Sequence, residues 1–314
     1  MSFDYDLVVI GSSPEGIYAA HKAVLLQARV ALVTQGIQPY LENQQLIYHH
    51  SLGEIANYSQ RINSNPWGIW TETSAIPLAS LGEIKSWGDL VKENITAEQS
   101  LGNLAVLGVD VIDGRGEFCR LPKQAFLVNN RQLRSRNYLL ATGSKYHLPA
   151  SCHSQDHPIA NCFTPEDLWQ TRLEDCPQDL AIVGDSPFCL ELAQGLARLG
   201  KNITLLSSNS RLLAAEIVPA SRFFQAQFAV DRIRILVDVS YQDLKIERVD
   251  QDKVKLRSQD HELITAGVIF ADFPQPNIEG LNLKAVKVKF FQQGIMVNEK
   301  LQTKNRAIMP VAIY

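Results

Sequence analysis

"YDLVVIGSSPEGIYAA" (Tyr5–Ala20) sets how the rest of the chain is read. A short apolar run rich in Val and Ile ends at Gly11, the pattern of a strand buried in a parallel sheet. "PEGIYAAHKAVLLQ" (Pro14–Gln27) has helical character, with Pro14 suited to a first turn. "RVALVTQG" (Arg29–Gly36) is a second strand, so the N-terminus reads as a β-α-β unit. The turn between strand and helix follows G-x-G-x-x-G, with Ser13 in the middle position. Such a turn binds a pyrophosphate because free backbone N–H groups and the helix dipole point at it. The first glycine allows the tight turn, the second lets phosphate approach, and the third lets helix and strand pack closely. Gly11 and Gly16 meet the first and third needs. Ser13 brings a Cβ that crowds the phosphate and a hydroxyl that either donates to it or caps the helix.

The pattern returns in the second half. "DLAIVGDSPFCLELAQGLARLGKNITLLSSNSR" (Asp179–Arg211) reads as strand, tight turn, helix closed by Gly200, and strand. "VVIGSSPEGIYAA" and "AIVGDSPFCLELA" align without a gap, both carrying G-x-S-P. Here Gly184 holds the first place, Ser186 the middle and Cys189 the last. This weaker copy reads either as a second dinucleotide turn or as a strand-to-helix turn that binds nothing. Each half also supplies hairpin strands and a closing apolar strand. "QAFLVNNRQLRSRNYLLATG" (Gln124–Gly143) turns at Asn129–Asn130, and "LKIERVDQDKVKLRSQDHELITAGVIFADF" (Leu244–Phe273) repeats the scheme. Ser86–Gly108 reads as one helical stretch, and His147–Leu168, rich in Pro, Ser and His, as a linker. The expectation is an α/β protein in which a doubly wound, Rossmann-like fold occurs twice.

A dinucleotide fingerprint also expects an acidic residue at the end of the second strand, to hold a ribose hydroxyl. Position 23 beyond Gly11 is Thr34, and position 23 beyond Gly184 is Ser207. Thr34 can hydrogen-bond a ribose but offers no carboxylate. Ser207, Ser208 and Arg211 make a neutral-to-basic strand end. That end suits a 2′-phosphate better than a bare hydroxyl, which favours NADPH over NADH, unless it is simply solvated.

With 314 residues the chain is long enough for two domains. Its 46% hydrophobic and 20% charged residues are the balance of a soluble globular protein. A net charge of -3 gives no footprint for nucleic acid, and no apolar run is long enough to span a membrane. The acidic "MSFDYD" running into a strand does not read as a signal peptide. Five cysteines, an odd number without C-x-x-C, read as reduced thiols of a cytoplasmic protein.

Together these segments resemble the pyridine nucleotide-disulfide oxidoreductases, flavoproteins that bind two dinucleotides, such as dihydrolipoamide dehydrogenase, glutathione reductase and mercuric reductase. "YDLVVIGSSPEGIYAA" looks like the family's FAD fingerprint and "YLLATGS" (Tyr138–Ser144) like its A-T-G segment. "AIVGDSPFCLELA" looks like the NAD(P) fingerprint, with the characteristic glutamate at Glu191. "FPQPNIEGLNL" (Phe273–Leu283) keeps the Pro-Asn that follows the second A-T-G. The resemblance covers nearly the whole chain, in order. It implies an FAD domain over 1–150 and 275–314, interrupted by an NAD(P)-binding-like domain over 151–274. The implied cofactor contacts are Gly11, Ser13, Pro14, Gly16, Thr34, Thr142 and Gly143 for FAD. For NAD(P)H they are Gly184, Ser186, Glu191, Ser207 and Arg211.

The departures from the family are as informative. Its redox disulfide, C-x-x-x-x-C, should follow the second strand, where "QGIQPYLENQQLIYHHSLGE" has no cysteine. "ADF" (Ala271–Phe273) replaces the second A-T-G. "PVAIY" follows "RAIM" where a G-D is expected, and this chain is expected to lack the family's interface domain. Two functions are therefore expected as alternatives. One is an oxidoreductase passing hydride from NAD(P)H to FAD and on to an unknown, non-disulfide acceptor. It would act as a homodimer or with a partner chain supplying the interface domain. The other is a non-catalytic descendant acting as a binding module, with FAD absent or structural. No catalytic residue stands out. "CHSQDHPIANC" (Cys152–Cys162) gathers zinc-type ligands at no common spacing, and no metal site is expected. His49–His50 either face a flavin or form a solvated or packed pair, and Trp67 and Trp70 read as core or interface anchors.

Overall fold

The computed structural model describes residues 3–36, 41–64, 79–98, 100–120, 123–154, 157–158, 161–170, 176–214, 216–241, 243–250, 252–258, 261–272, 274–291 and 294–311. The chain forms two compact units. The first comprises Met1–Gln44, Leu90–Lys145 and Gln275–Tyr314, and the second Gln45–Asp89 and Tyr146–Pro274. In chain order the first elements are β1 (Tyr5–Ile10), α1 (Pro14–Leu25), β2 (Val30–Val33), α2 (Leu41–Ser64) and α3 (Leu81–Glu98). α4 (Leu101–Val106), β3 (Asp110–Ile112) and β4 (Ser135–Leu140) follow. The single helix expected over Ser86–Gly108 is thus two. Ser100 divides them, because its hydroxyl caps α4 by accepting from the Asn103 N–H at 3.1 Å.

The first unit is built on a five-stranded parallel sheet in the order Ile308–Pro310, β4, β1, β2, β3. Alternate residues of β1 face opposite ways. Val8 and Ile10 pack with Phe118, Phe126, Tyr138 and Leu281, while Val9 packs with Ile17, Ala20 and Leu104 of α1 and α4. The first set reaches an antiparallel sheet of Gly116–Cys119, Ala125–Val128 and Arg131–Leu133. Asn129 and Asn130, with φ of 48° and 61°, make the expected turn in it.

The second unit repeats this plan with β5 (Asp179–Val183), α5 (Pro187–Arg198), β6 (Asn202–Leu206), α6 (Val218–Val230), β7 (Arg234–Leu236) and β8 (Gly267–Phe270). Its parallel sheet runs Cys162–Phe163, β8, β5, β6, β7. Ile182 and Leu205 face α5 and α6, and Ala181, Val183 and Phe270 face a three-stranded antiparallel sheet over 245–265. The stretch expected as a linker contributes here. Cys162–Phe163 is the edge strand, and Pro165–Gln170 a helix whose first turn is held by Thr164 and Asp167.

Residues 45–89 belong to the second unit, although the sequence places them with the first. The cause is apolar burial. Tyr48 and Leu52 of α2 and Leu81 and Ile84 of α3 share one core with Leu190, Ala193 and Leu196 of α5. A Cβ on Gly195 would lie 2.7 Å from Leu52 Cγ, so the helices meet at a glycine. A polar knot reinforces them. The Asp231 carboxylate, 1% exposed, accepts from Gln60 Nε2 at 2.8 Å, Gln194 Nε2 at 2.7 Å and Arg198 Nη2 at 3.0 Å. Removing one partner of a buried pair strands the other charge. Asp231→Ala is expected to cost about 3–5 kcal/mol in urea unfolding, and Asp231→Asn less. A loss under about 1 kcal/mol would show that the knot is dispensable.

Candidate functional site

A doubly wound sheet opens a crevice beyond the strand ends where successive connections part to opposite sides. In the first unit this point is the end of β1, between β2 and β4. Gly11 leaves the strand at φ 103°, and a Cβ there would lie 2.1 Å from the Ala141 carbonyl oxygen. A Cβ on Gly16 would lie 2.7 Å from Ala141 Cβ. Both glycines are thus required by the approach of α1 to the end of β4. Ser13 is the N-cap of α1, and Pro14 opens the helix. Its hydroxyl accepts from the Gly16 N–H at 3.4 Å and donates to the exposed Glu15 carboxylate at 2.7 Å. Its N–H donates to Ala141 O at 3.2 Å. Thr142 and Gly143 lie at the same edge, their carbonyls accepting from Asn277 Nδ2 at 3.0 Å and Asn277 N at 2.9 Å. Thr34, buried at the end of β2, donates to Asp113 Oδ1 at 2.6 Å. The strand-end carboxylate that β2 lacks thus stands on the end of β3. Sequence reasoning missed Asp113, because counting along β2 cannot reveal what the adjoining strand brings.

In the second unit the same crevice lies at Gly184, between β6 and β8. Ser186 caps α5, accepting from the Cys189 N–H at 3.4 Å. Asp272, just beyond β8, accepts the Asp185 N–H at 2.9 Å. A Cβ on Gly184 would lie 2.4 Å from Cys189 Sγ and 2.9 Å from Asp272 Cγ. The turn is therefore filled from within by a thiol and a carboxylate. Cys189 Sγ donates to Ala271 O at 3.2 Å, and burial followed by the charge of Asp272 pushes its thiol well above the usual range. Burial and the charges of Asp185 and Asp272 do the same to the Tyr241 phenol. Asp185 accepts from Ser207 Oγ at 2.5 Å and Asn209 Nδ2 at 2.8 Å. The end of β6 is therefore acidic where the sequence reads as neutral-to-basic. Arg211 donates to the carbonyls of Leu213, Ala214 and Glu216 at 3.3, 2.6 and 2.9 Å. Those bonds tie the guanidinium to the loop that follows β6. Asp185 and Asp272 stand in the quoted "GDSP" and "ADF", and the signal was their charge.

Glu191 faces α2 across the second unit. Its Oε2 lies 2.9 Å from His49 Nε2, and the His49 ring stacks on Phe188 with centroids 4.1 Å apart. Within this unit His49 is buried and packed against Glu191 and Phe188. Cys152 and Cys162 hydrogen-bond each other inside the core. Among the described residues there is no cluster of three His, Cys, Asp or Glu able to hold a metal. Trp67 and Trp70 lie outside the described residues. Among the described residues no helix is long and apolar enough to cross a membrane.

Burial lowers the His49 pKa, outweighing the opposing pull of Glu191. Below the unfolded value near 6.5 the unfolded chain therefore binds the proton more readily than the native protein. Stability is full above about pH 6.5 and declines as pH falls below it towards the lowered native value. His49→Phe should flatten the thermal midpoint between pH 7.5 and 5 relative to wild type. An unchanged pH slope would assign the effect elsewhere.

Comparison with known proteins places this geometry. The model of the pyridine nucleotide-disulphide oxidoreductases matches residues 5–311. A mercuric reductase of Staphylococcus aureus is 28% identical over 97% of this chain and 55% of its own length. A dihydrolipoyl dehydrogenase of Bacillus subtilis is 27% identical over 95% of the chain and 64% of its own. Among solved structures, the HOCl-induced flavoprotein disulfide reductase RclA of Escherichia coli superposes with a TM-score of 0.77 at 19% identity. It is matched over 98% of this chain and 65% of its own. LpdA of Mycobacterium tuberculosis reaches a TM-score of 0.80 at 19% identity, over 97% of this chain and 66% of its own. The chain thus spans about half to two thirds of the length of these relatives. With a doubled parallel-sheet fold, two G-x-S-P turns and a family match from residue 5 to residue 311, the chain belongs to the pyridine nucleotide-disulphide oxidoreductase family.

Proposed function

We infer that this chain is a flavin-binding member of its family whose second unit no longer takes a nicotinamide dinucleotide. The observation that carries this reading is the contrast between two equivalent positions. Thr142 follows the strand beside the first glycine turn, and Asp272 the strand beside the second. The first turn meets a neutral hydroxyl residue, whereas the second meets a carboxylate already bonded to its own N–H. The magnitudes favour exclusion. A helix N-terminus contributes about 0.3–1 kcal/mol to an anion. A carboxylate about 4 Å from a phosphate costs about 4 kcal/mol at the effective dielectric of a protein surface. Asp185 at the strand end adds a second like charge. The residues of the second unit do not suit NAD(P)H.

The residues of the first unit do suit FAD. Gly11, Ser13, Pro14 and Gly16 form the helix entry for its pyrophosphate, with Thr142 and Gly143 beside them. Bound FAD would supply two-electron redox chemistry, and the chain's part would be to hold and orient it. Glu15 is exposed, so it can swing away from Ser13 when an anion enters.

The visible spectrum and anaerobic titration test both halves. The purified or FAD-reconstituted protein is expected to be yellow and to bleach with dithionite but not with stoichiometric NADH or NADPH. Asp272→Thr, which copies the first unit, is expected to gain nucleotide binding at least about tenfold, consistent with removal of one like charge. Protein that stays colourless with FAD sinks the flavin half. Rapid bleaching of the wild type by NADPH sinks the closed second turn.

A further inference from the structure

We propose that Asp113 holds the adenosine ribose of FAD, taking the role of the acid missing from the end of β2. This rests on the flavin-binding reading of the first unit. β2 and β3 are paired in parallel, Leu32 opposite Val111 and Val33 opposite Ile112. Thr34 and Asp113 are therefore the next residues along adjoining strands, at the edge where a dinucleotide fingerprint needs its carboxylate. The Thr34 N–H donates to Ile112 O at 3.0 Å, which keeps the two strand ends in step.

The hydroxyl of Thr34 then fixes the acid. It accepts from the Gly36 N–H at 3.4 Å and the Gly114 N–H at 3.2 Å. A hydroxyl has two acceptor lone pairs and one proton. With two donors converging on its oxygen, the proton is directed to Asp113 Oδ1, 2.6 Å away. The backbone of Asp113 is anchored as well, its carbonyl accepting from Asn129 Nδ2 at 2.7 Å. Thr34 is buried and Asp113 exposed, so the buried hydroxyl orients a carboxylate that solvent and ligand can reach. Ribose hydroxyls are donors, and an ionised carboxylate accepts from them in charge-assisted bonds. A threonine in the usual acidic position is on this account a positioning residue for an acid borrowed from the neighbouring strand.

The test is a titration of apoprotein with FAD, read by flavin fluorescence. Asp113→Asn is expected to weaken FAD binding about 10- to 100-fold, the loss of a charged hydrogen bond, while melting within a few degrees of wild type. Thr34→Val, which frees the carboxylate, should weaken binding in the same direction. Thr34→Glu combined with Asp113→Asn returns an acid to the end of β2 and should restore affinity. Wild type that binds FAD while Asp113→Asn binds it equally well overturns the assignment but leaves the flavin reading standing. Wild type that binds no FAD overturns both.

Discussion

The close approach of a helix N-terminus to the end of a neighbouring strand is the constraint on which both units depend. At Gly11 the strand must turn into α1 directly against Ala141, and a Cβ would occupy the space of that carbonyl. At Gly184 the same turn is pressed by Cys189 and Asp272. Once the turn is fixed, β1 and β5 lie at the centre of their sheets, and the remaining strands add on either side. The fold itself therefore requires both glycines, whatever each turn binds. A fingerprint of this kind reports architecture first and ligand second.

The two turns share G-x-S-P, the serine cap and the proline start, yet they differ in charge. Ser13 and Ser186 each satisfy an N–H of their helix from the side chain. That answers why serine stands where the family has glycine: it caps. The ligand question passes to the residues around the cap. In the second unit Asp185 and Asp272 bring two carboxylates to the crevice. In the first unit Asp113 stands at the strand edge, where hydroxyl donors are expected, and the exposed Glu15 carboxylate bonds the cap serine.

Much of this organisation can be read from the chain alone. The apolar runs at Tyr5–Ile10 and Asp179–Val183, the aligned turns and the Asn129–Asn130 hairpin are local signals, and they appear as expected. Residues 45–89 cannot be assigned this way. Their apolar positions announce burial but not the partner, which is the apolar face of α5 around Gly195. Cys162–Phe163 escapes notice because two residues carry no period, and only pairing with β8 makes them a strand.

The local order of residues fixed the element types, the repeat and the family, because strand runs, helix starts and glycine turns are encoded within a few positions of one another. The side chains that line each crevice are brought together by long-range contacts. Asp113 reaches Thr34 across 79 positions, Asp272 reaches the Asp185 N–H across 87, and Glu191 reaches His49 across 142. Electrostatic and hydrogen-bonding forces act over a few ångströms of space, irrespective of distance along the chain. A carboxylate far away in sequence can therefore stand beside a turn spelled like a phosphate site without any sign of it in the turn's own residues.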